Sequence, residues 1–176
     1  LVLCRTRGSA ELGILDGLLQ HAIASDDTRL ADQIATTTYE HSLTIDGGHS
    51  YYGLWHLLTR VKFLYRTGQA DAGVAIALDA IPRIERMADR NLLERMKLLA
   101  AEGLGRIGRA DEGAQLMASA VSANPDPPLE MVAEAARVAG RLAAHDDPAA
   151  AAGHFDRAAR ILHAIGNLTA RAEIQR

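Results

Sequence analysis

The sequence predicts an all-α chain organised as a solenoid of stacked helix pairs. The first observation is an internal repeat. RTGQADAGVA, beginning at Arg66, is echoed by RIGRADEGAQ at Arg106, 40 residues on, with looser echoes in ASDDTRLADQIA from Ala24 and AHDDPAAAAGHFDRA from Ala144. A repeat near this length cannot bury its apolar face alone and must stack on its neighbours. The second is periodicity: apolar residues recur at helical spacing, and no stretch alternates convincingly as a strand would. The third is composition, 48% hydrophobic and rich in alanine but only 4% aromatic, which suits closely packed helices.

Four pairs are expected, over about residues 9–44, 50–88, 91–124 and 127–166. Ser9 can cap a first helix carrying Leu12, Leu15, Leu18, Leu19, Ala22 and Ile23. Ser25, Asp26 and Asp27 break it and cap a second with Leu30, Ile34 and Ala35. A turn at 46–50 (DGGHS) leads into a helix from about Tyr51 to Thr67, with Leu54, Leu57, Leu58, Val61 and Leu64 on one side. Gly68 ends it, since glycine tolerates the left-handed cap conformation. The partner helix holds Val74, Ala75, Leu78 and Ile81, and stops or kinks at Pro82, which lacks an amide donor.

The third pair starts near Asn91 with Leu92, Met96, Leu99 and Leu104, turns at Gly108, and continues through Leu116, Met117, Ala120 and Val121 to Pro125. Pro127 and Pro128 suit the opening of the next helix, which places Met131, Val132, Ala135, Val138 and Leu142 inward. Asp146, Asp147 and Pro148 form the last inter-helix turn. Phe155, Ala158, Ile161 and Leu162 then pack before Gly166 and Asn167.

Bulk properties exclude several classes. Nineteen basic and 22 acidic residues give a formal charge of −3, so nothing draws the chain to nucleic-acid phosphates. Cys4 is the single cysteine, which rules out an internal disulfide and fits a reducing compartment. No apolar run reaches the ~18 residues of a membrane span, and no secretory signal is visible. A cytoplasmic location follows as the expectation. The chain opens without methionine and closes at Arg176 just after a capping signal, which reads as a fragment of a longer protein.

No catalytic or cofactor motif survives inspection. GLGRIG, from Gly103, matches G-x-G-x-x-G, but a dinucleotide site needs a strand before those glycines, and ERMKLLAAE is helical in pattern. Close helix packing followed by a turn explains them. His154 and His163 fall on opposite helix faces, and His145 beside Asp146 and Asp147 reads as a helix end followed by a capping turn. His41 and His49 flank the glycine turn without assembling a metal set. No metal, cofactor or catalytic residue is expected.

The turns and their flanks carry a resemblance. Ala139 and Leu142 precede Ala151, Phe155 and Ala158 in the last pair. Ala101 and Leu104 precede Gly108, Gly113, Met117, Ala120 and Pro125 in the third. The second has Gly68, Gly73, Ala77 and Ala80, and the first Ala31, Ala35 and Thr38. Together they resemble the tetratricopeptide repeat family, as found in helical segments of bacterial transcription and signalling regulators. That resemblance implies a right-handed solenoid whose first helices line a concave groove. It places Trp55, Lys62, Tyr65, Arg66, Arg95, Glu102 and Arg106 on the groove. Four basic groups beside two aromatics would suit an acidic peptide or a carboxylate, although the asparagines of the family's carboxylate clamp are absent. The matching face of the fourth pair, Ala133, Ala136, Gly140 and Ala143, reads as packing surface.

The function expected is that of a non-catalytic protein-interaction or sensor module of a larger bacterial regulator. It would dock a protein or peptide partner, or another domain of the same chain. The alternative is a small-molecule effector domain with a pocket lined by Trp55 and Tyr65.

Overall fold

The repeated sequence makes a repeated turn. Gly68 and Gly108 take φ of +77° and +79°, and each is followed by an amide that reaches back to close the preceding helix. Gln69 N donates to Leu64 O and Arg109 N to Leu104 O, both at 2.8 Å. This is the left-handed glycine cap that satisfies the last carbonyls of a helix. Asp26 plays the same part earlier, with φ of +56° and Asp27 N donating to Ala22 O at 3.0 Å.

The computed structural model describes residues 2–47 and 49–167. Among them the chain is all-α, with eight helices and no strand: α1 (Val2–Ala24), α2 (Thr28–Asp46), α3 (Tyr51–Arg66), α4 (Ala70–Met87), α5 (Arg90–Arg106), α6 (Ala110–Ser122), α7 (Leu129–Ala143) and α8 (Pro148–Ala164). The chain's last residues, beyond Asn167, lie outside the described residues. The chain divides into two compact units at Leu92/Leu93, one formed by α1–α4 and the other by most of α5 with α6–α8.

Caps account for several boundaries. The Asp27 carboxylate accepts from Leu30 N at 3.0 Å, and Asp147 accepts from Ala150 N at 2.9 Å. Ser50 Oγ accepts from Gly53 N at 3.0 Å to open α3. Pro148 occupies the first turn of α8, where a missing amide donor costs nothing. Pro128 stands at the N-cap of α7.

One expectation is corrected, and of the two outcomes expected at Pro82 one is ruled out. Ser9 does not cap α1 but lies inside it, because the helix begins at Val2; Gly8 allows α1 to press against Ile45 of α2. Pro82 does not end α4, which runs on to Met87. The proline faces solvent, while Ala77, Ala80 and Ile84 on the opposite side are fully buried. Burying one such aliphatic side chain contributes roughly 1.5–3 kcal/mol, enough to offset much of the ~3 kcal/mol that proline costs a helix interior.

In the first unit, Leu19 and Ala22 of α1, Ala31 and Ala35 of α2, and Phe63 of α3 form one apolar cluster. Arg60 of α3 adds a tie to α2, its guanidinium carbon 4.1 Å from the centroid of the Tyr39 ring. In the second unit, Leu98 and Ala101 of α5, Ala120 of α6, and Met131 and Val138 of α7 form another. Small residues set the closest approaches. A Cβ on Gly73 of α4 would lie 2.4 Å from Tyr65 Cε1, one on Gly113 of α6 2.7 Å from Ala101 O, and one on Gly140 of α7 2.8 Å from Phe155 Cε1.

Candidate partner-binding surface

The seven groove residues inferred from the sequence have different fates in the fold. In the first unit, Lys62 is exposed on α3 and forms no ion pair among the described residues. Arg66 is exposed and bound to Asp26 of the α1–α2 turn. Trp55 is half-buried in an aromatic cluster. Its ring is tilted against Tyr51 at 6.2 Å between centroids, and Tyr51 meets Tyr52 edge-on at 5.5 Å. The indole Nε1 is enclosed without a hydrogen-bond partner among the described residues. Tyr51 and Tyr52 are themselves well exposed. Sequence reasoning passed over them, although two tyrosines opening a helix just before a tryptophan were visible.

Tyr65 is not open to a partner. It is only 5% exposed, because its ring fills the space that the absent side chain of Gly73 leaves. Glu102 is withdrawn as well, at 3% exposure, since it serves as the buried acceptor of a charge network in the second unit. These two assignments are corrected: the resemblance gave their place on the helix but not the neighbouring helix that covers them.

That network joins α5 to α7. Glu102 accepts from Arg106 Nη2 at 2.8 Å and from Arg137 Nη2 at 2.5 Å. Arg137 also holds Glu134 at 2.8 Å. Burial alone would raise the Glu102 carboxyl, but the Arg137 charge and hydrogen bonds from Arg137 and Arg106 outweigh it and hold the group at about 2. Arg95 is half-buried on the same helix, and Arg106 is exposed at its last turn. Ala133, Ala136 and Gly140 are buried, as a packing surface requires.

The first unit has its own buried polar joint, between α1 and α3. His56 is fully buried, and its Nδ1 lies 3.2 Å from Asp16 Oδ1. Burial raises the Asp16 carboxyl, while hydrogen bonds from His56, Thr59 and Gln20 bring it below the ordinary value. Both units therefore fasten one odd-numbered helix to the next through a carboxylate.

Other site chemistry is sparse. His41 binds Glu11 at 3.1 Å, and among the described residues no group of three or more His, Cys, Asp or Glu side chains could hold a metal ion. The GLGRIG glycines lie along the end of α5 and its turn. Gly105 there abuts Leu142 of α7, and a Cβ would come within 2.7 Å of it. A cleft of about 140 Å³ in the first unit is lined by Ala22, Ile23, Asp26, Thr28, Phe63 and Arg66 among others, rather than by Trp55 and Tyr65. No described helix is long and apolar enough to cross a membrane. Comparison with protein-family profiles, curated proteins and solved structures gives no match for this chain.

Proposed function

We propose that this chain is a right-handed α-solenoid of four tetratricopeptide-like helix pairs. It acts in the cytoplasm as a non-catalytic interaction or sensor segment of a larger bacterial signalling or transcription regulator. A segment of a partner protein, or of another domain of the same polypeptide, docks on side chains presented by the odd-numbered helices. Docking then holds an output domain on or off.

The observation that carries this reading is the recurrence of one structural unit. The same turn recurs at Gly68 and Gly108, and each is followed by a helix whose fifth turn-distal position, Gly73 or Gly113, admits the preceding helix to close contact. Repeated units of this kind build extended surface more readily than enclosed pockets. The cleft beside Arg66, about 140 Å³, falls below the roughly 300–1,000 Å³ of ordinary small-molecule sites, so that cleft does not favour the effector reading.

The test is affinity capture from lysate of the source organism, comparing the parent chain with a Lys62→Ala, Arg66→Ala variant of unchanged circular dichroism. A protein retained by the parent, lost by the variant and bound again as a purified component supports docking on α3. Equal capture by both excludes α3 as the docking face. Absence of any specific capture contradicts the interaction role.

A further inference from the structure

Helix α3 is open along one strip that is aromatic at its start and cationic at its end. Successive helical residues turn by about 100°, so Tyr51, Trp55, Lys62 and Arg66 fall within about 60° of arc. Tyr51, Lys62 and Arg66 are exposed and Trp55 is half-buried. Leu58 and Thr59, just outside that arc on either side, are each only 8% exposed. Covered side chains therefore bound the strip. At its aromatic end Tyr51 touches both Tyr52 and Trp55. Tyr52 is braced on α1, where a Cβ on Gly13 would stand 3.5 Å from Cδ1 and Cε1 of its ring. Aromatic rings ordered in this way bury apolar area at little further cost in entropy.

Charge decides what the strip suits. Helix α3 carries Arg60, Lys62 and Arg66 but no Asp or Glu. Arg60 is engaged on the Tyr39 ring. Lys62 forms no ion pair among the described residues. Arg66 holds Asp26, but both side chains are exposed, and a surface pair is weak enough to share its cation with a second carboxylate. The cationic end thus complements an acidic group. Two cations are too few for a nucleic-acid backbone, and the chain's formal charge of −3 offers phosphates no wider attraction. A rise of 1.5 Å per residue puts Lys62 about 10 Å from Trp55 and about 16 Å from Tyr51 along the helix. An extended peptide, at about 3.3 Å per residue, covers that span in about three to five residues.

We propose that α3 receives an extended segment of a partner protein in which an apolar residue packs on Tyr51 and Tyr52 and an Asp or Glu, about three to five residues away, pairs with Lys62. The proposal rests on the docking role above and adds the chemistry and the polarity of the docked segment.

The experiment is selection of binders to the whole chain from a random peptide library, followed by affinity measurement on Tyr51→Ala, Lys62→Glu and Arg86→Glu, each of unchanged circular dichroism. The last reverses the same charge at an exposed position near the end of α4. The expected result is a shared pair in the selected peptides, one apolar residue and one acidic residue at fixed separation. Tyr51→Ala and Lys62→Glu should each weaken these peptides at least about fivefold, as loss of an interface anchor does, and Arg86→Glu should leave them unchanged. Replacing the acidic residue of the peptide by Lys should restore binding to Lys62→Glu. Peptides without the pair, or peptides that bind Lys62→Glu as well as the parent, would overturn the assignment and leave the docking role standing. Displacement of the peptides by a single-stranded oligonucleotide that binds more tightly would also overturn it. A chain that selects no peptide at all would count against both.

Discussion

Tyr65 packs against Gly73, so close that a methyl group there would stand 2.4 Å from Cε1 and 2.9 Å from Cδ1 of the ring. The two residues form the joint between α3 and α4, and neither can change size without moving the other. Gly73→Ala should therefore destabilise the chain by about 1–3 kcal/mol, the usual cost of overpacking, despite alanine's better helix propensity. Urea unfolding followed by circular dichroism checks this. A more stable variant would mean that the ring moves aside freely.

Gly153 gives the opposite expectation. It sits inside α8, is exposed, and has nothing within 4 Å of a built Cβ. Gly153→Ala should stabilise by about 0.4–1 kcal/mol, through reduced unfolded-chain entropy and higher helix propensity. The same unfolding measurement reads it, and the pair of glycines separates packing from propensity within one protein.

Glu102 links stability to pH. Its carboxyl is held at about 2, below the ordinary value of 4.5. A carboxylate depressed on folding contributes stability that is fully present above the unfolded value and is lost as pH falls through the folded one. The chain should therefore lose stability between about pH 4.5 and pH 2. Glu102→Gln should cost roughly 3 kcal/mol at neutral pH, because it leaves Arg106 and Arg137 without their shared buried counter-ion. Its deficit relative to the parent should shrink through that acid window. Denaturant midpoints at a series of pH values test both statements, and a constant deficit across the window would contradict them.

Asp16 supplies a parallel case between α1 and α3. It receives His56 at 3.2 Å and Gln20 at 2.7 Å. Asp16→Asn removes the charge from these hydrogen bonds and should destabilise by about 1.5–3 kcal/mol, read by thermal unfolding at neutral pH. An unchanged transition would show that the carboxylate does not fasten the two helices.

Much of the fold was legible because it is written locally. Helical spacing marked the pairs, Gly68 and Gly108 marked their turns, and Asp27 and Asp147 stand where caps were expected. Two local signals misled. Ser9 resembled a cap, yet α1 extends ahead of it through a glycine packed on Ile45. Pro82 resembled a stop, yet Ile84 beyond it is buried.

The surface was less legible. The resemblance placed Tyr65 and Glu102 on an open groove, but exposure depends on what the next helix brings. Gly73 comes from the following helix and Arg137 from 35 residues away, and neither coverage nor that ion pair has a local signature. Lys62 and Arg66, which the resemblance placed on the groove, are exposed.

The most direct test of the docking role is hydrogen–deuterium exchange of the chain with and without a purified captured partner. Docking on α3, where Lys62 and Arg66 are exposed, predicts new protection concentrated in that helix. Protection confined to α4, α6 and α8 would contradict it.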